Sequence, residues 1–172
     1  MSYLKKAKPC SRMDIRQMAY NVRIIEGCQN KLFFDIVHFM DVTLPQIVPN
    51  YTLEIVENSE MGNALGLTYP DRGLVKIRDD VYDGASQGNG RDRLTMAHEL
   101  FHLLQHDESN IVFARASGNQ TIKKYEDPEW QADAFGGELL IPNHLINGMP
   151  IDKIIVECQV SAAAARYQMK YA

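Results

Sequence analysis

Two histidines four residues apart, His98 and His102, stand in an apolar run with Glu99 directly after the first, TMAHELFHLLQH over residues 95–106. No other feature constrains the chain as much. On an α-helix, residues four apart share a face, so both imidazoles reach a common point. Met96, Ala97, Leu100, Phe101, Leu103 and Leu104 make this helix apolar nearly all round, which places it in the interior. Two imidazoles and a carboxylate buried without partners would cost roughly 1–3 kcal/mol each, or more. A shared metal ion, with hydrogen-bond partners behind its ligands, removes that cost. In an H-E-x-x-H helix the histidines bind the metal and the glutamate addresses a bound water as general base. Chance produces such a string in about one chain of this composition in a hundred, so a third ligand is needed to specify a site.

Zinc in a catalytic site takes three protein ligands and keeps one position open. A downstream helix offers the third. Asp127-Pro128 is a start signal, with Asp as cap and Pro in the first turn, and Pro142 stops the helix after Ile141. Its apolar residues Ala132, Phe135, Gly136, Leu139 and Leu140 recur at helical spacing, and Glu129 sits one turn earlier on that inward face. Without the upstream string, Glu129 would be an ordinary first-turn carboxylate favoured by the helix dipole. Asp133, four residues further, is placed to accept the spare N–H of a ligand histidine. Gly136 and Gly137 permit close approach of another helix. His106 shares a face with His102 but lies about 12 Å of helix from His98, so one metal does not hold all three. It is expected behind the ligands or at the surface.

The remaining chain predicts one domain over 1–172, with residues 1–11 mobile. Ile15, Met18, Ala19, Val22 and Ile25 form one apolar face of a helix over 12–28, and a second short helix is expected over 32–40, before the break at 45–50. Strand formers follow at 51–57, 64–69 and 74–78, the last two joined by the turn Pro70-Asp71-Arg72-Gly73, so a small, mostly antiparallel sheet of about three strands is expected. Gly84 to Gly90 reads as a loop, residues 109–125 as a long loop able to cover a site, and 151–158 and 161–171 as short C-terminal helices. The fold class is α+β.

Composition closes off several functions. A net charge of -4 gives no reason to expect nucleic-acid binding. The N-terminal lysines have no apolar run behind them, and no stretch approaches the roughly 18 apolar residues of a membrane span, so a cytoplasmic protein without a membrane partner is expected. Cys10, Cys28 and Cys158 are odd in number and far apart, which points to reduced, packing cysteines rather than disulfides or a thiolate zinc site.

Residues 91–106 together with Glu129-Trp-Gln-Ala-Asp-Ala-Phe-Gly-Gly-Glu-Leu-Leu-Ile-Pro142 resemble the ImmA/IrrE metallopeptidases, which pair an R-x-T-x-A-H-E-x-x-H helix with an E-x-E-A-x-x-F-A-x-x-L-L-x-P helix. The resemblance implies a zincin-like domain with His98, His102 and Glu129 as metal ligands and Glu99 as catalytic residue. The order of motifs is similar to the gluzincin group, in which the position of Asp133 supports a ligand histidine. It further implies a protein substrate such as a helix-turn-helix repressor, in phage, mobile-element or stress regulation. Gln131 departs from the second Glu of the family pattern, Gly136-Gly137 from a mostly alanine pair, and Phe101 from a frequent glycine.

The expected chemistry is zinc-assisted peptide hydrolysis, with manganese or iron able to use the same ligands. Tyr125, His144 and Arg115 are the candidate oxyanion donors, and the strand 74–78 is a candidate edge for an extended substrate. Two other functions compete. One is a non-catalytic regulatory partner of a repressor or toxin that retains a metal site. The other is a DNA-binding helix-turn-helix at 151–171, where Lys153, Arg166 and Lys170 are offset by Asp152 and Glu157, so that two packing helices are favoured.

Overall fold

The computed structural model describes residues 3–107, 111–115 and 122–172, with backbone alone at 3–4 and 111–115. It is an α+β arrangement in which a three-stranded sheet and a layer of helices enclose one core. Helix α1 (Arg12–Ile25) starts in a capping box: the Ser11 hydroxyl accepts from the Asp14 N–H, and the Asp14 carboxylate accepts from the Ser11 N–H at 3.0 Å. Ile15, Ala19 and Val22 face the core, whereas Ile25 is exposed. Ten residues of helix carry Ile25 about 80° away from Ile15, to the margin of the stripe. Arg23 is buried on the opposite margin, and its guanidinium donates to the carbonyls of Cys28, Lys31, Leu32 and Leu139.

The second helix, expected to end at Met40, is displaced toward the C-terminus. Helix α2 (36–47) is capped by Asp35, whose side chain accepts from His38 N, and runs through Pro45. A π-turn at Phe39–Thr43 absorbs the proline, which lacks an N–H and would crowd the carbonyl four residues back in a regular helix.

Strands β2 (Thr52–Val56), β3 (Gly66–Tyr69) and β4 (Leu74–Arg78) form a sheet of order β2-β4-β3. The hairpin β3–β4 is antiparallel, turning at Gly73 with φ 61°, but β2 joins β4 in parallel, Thr52 opposite Leu74 and Val56 opposite Arg78. The sheet is therefore mixed rather than mostly antiparallel. Strand formers alone do not fix direction, because direction depends on the path of the connection. Strand β4 is central, with Val75 and Ile77 fully buried, so it is not an edge; β3 is. A second pair, unforeseen, joins β1 (Tyr3–Ala7) to β5 (Ile111–Arg115) antiparallel. β1 lies in the segment read as mobile, and β5 in the segment read as a loop.

Helix α3 (Asp79–Ser86) replaces the first part of the expected loop. Helix α4 (Gly90–Gln105) carries the H-E-x-x-H string and is capped by the Asn89 side chain. Helix α5 (Pro128–Leu140) carries Glu129 and Asp133 and is capped by Asp127, whose carboxylate accepts from Glu129 N at 3.0 Å. The two helices pack through Phe101 and Phe135, ring centroids 4.9 Å apart, and through Gly136, where a Cβ would come within 2.8 Å of Leu94 Cδ1. Helix α6 (Asn143–Ile146) follows, then α7 (Ile151–Cys158) and α8 (Ala162–Met169), the last capped by Ser161. Among the described residues no helix is long and apolar enough to cross a membrane.

The start of α4 is set against the α7–α8 turn. A Cβ on Gly90 would lie 2.6 Å from Ser161 N and 2.7 Å from Val160 Cα, both backbone atoms that cannot swing aside. Gly90→Ala is expected to destabilise the fold by about 1–3 kcal/mol, as overpacking does. Gly136→Ala meets only the flexible end of Leu94 and should cost less. Urea denaturation of both variants checks the order.

Candidate metal centre

Helix α4 presents His98 and His102 one turn apart, and α5 brings Glu129 opposite them. One ligand atom from each lies within 4.8 Å of the others. His98 Nε2 and His102 Nε2 are 2.9 Å apart, His98 Nε2 and Glu129 Oε2 3.2 Å, and His102 Nε2 and Glu129 Oε1 3.5 Å. A tetrahedral zinc with bonds of about 2.0–2.1 Å separates its ligand atoms by about 3.3 Å. The three observed spacings bracket that value, and the donors are two imidazole nitrogens and a carboxylate, so the residues present fit the ion. They were brought together from two helices as the sequence led one to expect.

Each ring is held from its other nitrogen. His98 Nδ1 meets Asp133 Oδ1 at 2.8 Å, the contact anticipated from the four-residue spacing on α5. His102 Nδ1 meets His106 Nδ1 at 2.7 Å. His106 is thus behind His102 and buried, not at the surface.

Electrostatics without a metal follow from these contacts. Burial opposes a charge on His98, but the carboxylates of Asp133 and Glu129 outweigh it and raise its pKa to about 10. Glu129, hydrogen-bonded to His102 and His98, is held well below the usual carboxylate range. Burial pushes His106 down to about 4, in spite of its bond to Gln131. A cation entering between the three ligand atoms takes the place of a proton.

Glu99 is 8% exposed and lies between the two hollows of the cleft, about 280 and 240 Å³, both of which it lines with His98 and Gly66. Its carboxylate is fixed by the sheet edge. Thr68 Oγ1 is 2.5 Å from Glu99 Oε2 and 3.2 Å from the Glu99 carbonyl. Gly66 leaves room for it, since a Cβ there would stand 2.6 Å from Glu99 Cγ. Neither Gly66 nor Thr68 was singled out from the sequence. Nothing local marks them, because they meet Glu99 only once β3 is laid beside α4. Lys5 of β1 also lines the cleft, at the end that holds Glu129.

The expected oxyanion donors fare differently. His144 sits on α6 with Nε2 2.7 Å from the Gln29 carbonyl and its ring edge-on to Tyr20, and lines neither hollow. The ring of Tyr125 is exposed and outside the cleft; its carbonyl accepts from Gln131 instead. Pro142, which ends α5, turns His144 away from the ligand face, and Tyr125 precedes the α5 cap on a 3-10 turn. The side chain of Arg115 lies outside the described residues. Arg93, at the arginine position of the R-x-T pattern, is buried and donates to the carbonyls of Phe34 and Cys158, at 2.8 and 3.4 Å, tying α4 to the core.

A family model described as the IrrE N-terminal-like domain, of the peptidase class, matches residues 64–172. The match takes in β3, β4 and both helices of the site, whereas β1 and α1 precede it. No curated protein and no solved structure matches the chain.

Proposed function

The chain belongs to the family of IrrE N-terminal-like domains, and we propose that it is a zinc-dependent endopeptidase, with His98, His102 and Glu129 as ligands and Glu99 as general base. The observation that carries this is the convergence of three ligand atoms at tetrahedral spacing beside a buried glutamate held by the sheet edge. Zinc bound there would acidify a water and polarise the scissile carbonyl, and manganese or iron could serve the same ligands.

The protein's own groups do the rest. Glu99 accepts the proton of the attacking water and passes it to the leaving nitrogen. Thr68 and Gly66 aim its carboxylate. Asp133 keeps the His98 ring turned inward. An extended substrate pairs with the free edge of β3, which lines the cleft, rather than with β4, which lies inside the sheet. The substrate class proposed is a cytoplasmic regulatory protein, such as a helix-turn-helix repressor, and the family likeness supports it.

Metal analysis of the purified protein tests the ligand set. The wild type is expected to hold about one zinc per chain, and Glu129→Ala to lose most of it after dialysis, because a catalytic zinc keeps only three protein ligands. Undiminished stoichiometric binding by Glu129→Ala would remove Glu129 from the site. Stoichiometric metal with no cleavage of any offered protein would favour a regulatory partner instead of a peptidase.

A further inference from the structure

Behind His102 runs a chain of hydrogen bonds that ends on the backbone. His102 Nδ1 is 2.7 Å from His106 Nδ1, and His106 Nε2 is 2.9 Å from Gln131 Oε1. The Gln131 amide nitrogen lies 2.9 Å from the carbonyl of Lys8 and 2.8 Å from that of Tyr125. His106 and Gln131 are 5% and 2% exposed. Every proton in this chain can be assigned by counting. A backbone carbonyl only accepts, so both hydrogens of the Gln131 amide are donated to Lys8 and Tyr125, and the amide has one orientation. Its oxygen, which also only accepts, then faces His106, so His106 Nε2 carries a hydrogen. No carboxylate among the described residues is hydrogen-bonded to His106, so the ring has no counter-ion and is in the neutral form. Its Nδ1 is therefore a bare acceptor. His102 must supply the hydrogen between the two rings from its own Nδ1, which leaves Nε2, the atom directed at His98 and Glu129, as the nitrogen available to a metal.

We propose that His106 and Gln131 are positioning residues that select the metal-binding tautomer of His102, with the carbonyls of Lys8 and Tyr125 as the fixed end of the relay. The two ligand histidines are thus oriented by different chemistry, His98 by a solvent-facing carboxylate and His102 by a buried neutral relay. Lys8 lies before the family-matched residues 64–172, so the N-terminal segment becomes part of the support of the centre. At 131 an amide, with two hydrogens to donate, holds both carbonyls; a carboxylate there would donate to neither. The inference rests on the ligand role of His102, and its test separates the two.

In the metal-free protein, two-bond ¹H–¹⁵N imidazole spectra should show His106 with hydrogen on Nε2 and His102 with hydrogen on Nδ1. This outcome does not depend on whether zinc binds. His106 with hydrogen on Nδ1 would overturn the relay. Zinc affinity is then measured by chelator competition. His106→Leu removes the acceptor and should weaken binding about 10–100-fold, as loss of such supporting contacts does. His106→Asn places an amide oxygen where Nδ1 stood and should recover most of that loss. An unchanged zinc affinity in His106→Leu, or equal losses in the two variants, also overturns the proposal. If His106→Leu does not fold, the wild-type spectra decide. A wild type that takes up no zinc refutes the ligand assignment but leaves the tautomer result to judge the relay.

Discussion

Replacing Glu99 by glutamine is expected to lower kcat/KM for peptide cleavage by about 10²–10⁴-fold, the contribution usual for a positioned general base, while metal content stays at the wild-type level. Glutamine has the shape of glutamate, and its amide oxygen can still accept from Thr68 Oγ1, so the cleft is not rearranged. What is lost is a group able to take a proton. Glu99 is on the same helix as His98 and His102 but is not one of the three converging groups, so its substitution leaves those groups untouched. Mass-spectrometric detection of cleavage products, run beside metal analysis of the same preparation, reads both quantities. Cleavage within about threefold of the wild type would be incompatible with general-base chemistry at Glu99. Loss of metal would make Glu99 a ligand.

Glu138→Ala is expected to destabilise the fold by about 3 kcal/mol, the low end for breaking a buried ion pair. Glu138 is on α5 with its side chain 1% exposed, and it receives Arg12 Nε at 2.9 Å and Arg16 Nε at 3.0 Å from α1. Arg16 Nη2 adds a contact at 3.2 Å. Removing the carboxylate takes the counter-ion from two guanidinium groups at the α1–α5 interface, Arg12 keeping Gln168 Oε1 at 2.7 Å and Arg16 the Tyr171 carbonyl at 2.9 Å as acceptors. The two arginine side chains are 13% and 29% exposed, so water partly replaces the lost partner, which sets the effect at the low end. For a chain of this size the melting temperature should fall by roughly 6–12 °C. A change below about 0.5 kcal/mol, the level of an ordinary surface substitution, would show that the pair adds nothing. Because α5 also carries Glu129, the variant is best studied with metal removed, so that lost zinc does not add to the measured loss.

These two residues differ in how they could be found. Glu99 follows from a five-residue string, and its neighbours His98 and His102 from the repeat of a helix. Glu129 and Asp133 were legible because their helix also declares its inward face, and a carboxylate one turn upstream of that face must look the same way. Glu138 gives no such sign. It lies on that same helix, and only the packing of α1 against α5 brings Arg12 and Arg16 to it. Tyr125 and His144 are near the motif in sequence, but chain turns at Glu126–Asp127 and at Pro142 carry their side chains elsewhere. Gly66 and Thr68 lie about 30 residues before Glu99, with no periodic relation to it.

The sequence alone determined the two site helices, the Asp127 cap, and which residues face the candidate site from them. All of these depend on spacing within one helix, where 3.6 residues per turn convert sequence separation directly into direction. The tertiary structure alone decided that β2 runs parallel, that β3 and not β4 offers the free edge, that Thr68 and Gly66 hold Glu99, and that His102 is supported through His106 and Gln131 by the N-terminal segment. Those are contacts between elements joined by turns and connections, and the path of a connection is chosen by the packing of the whole core rather than by the residues that later meet.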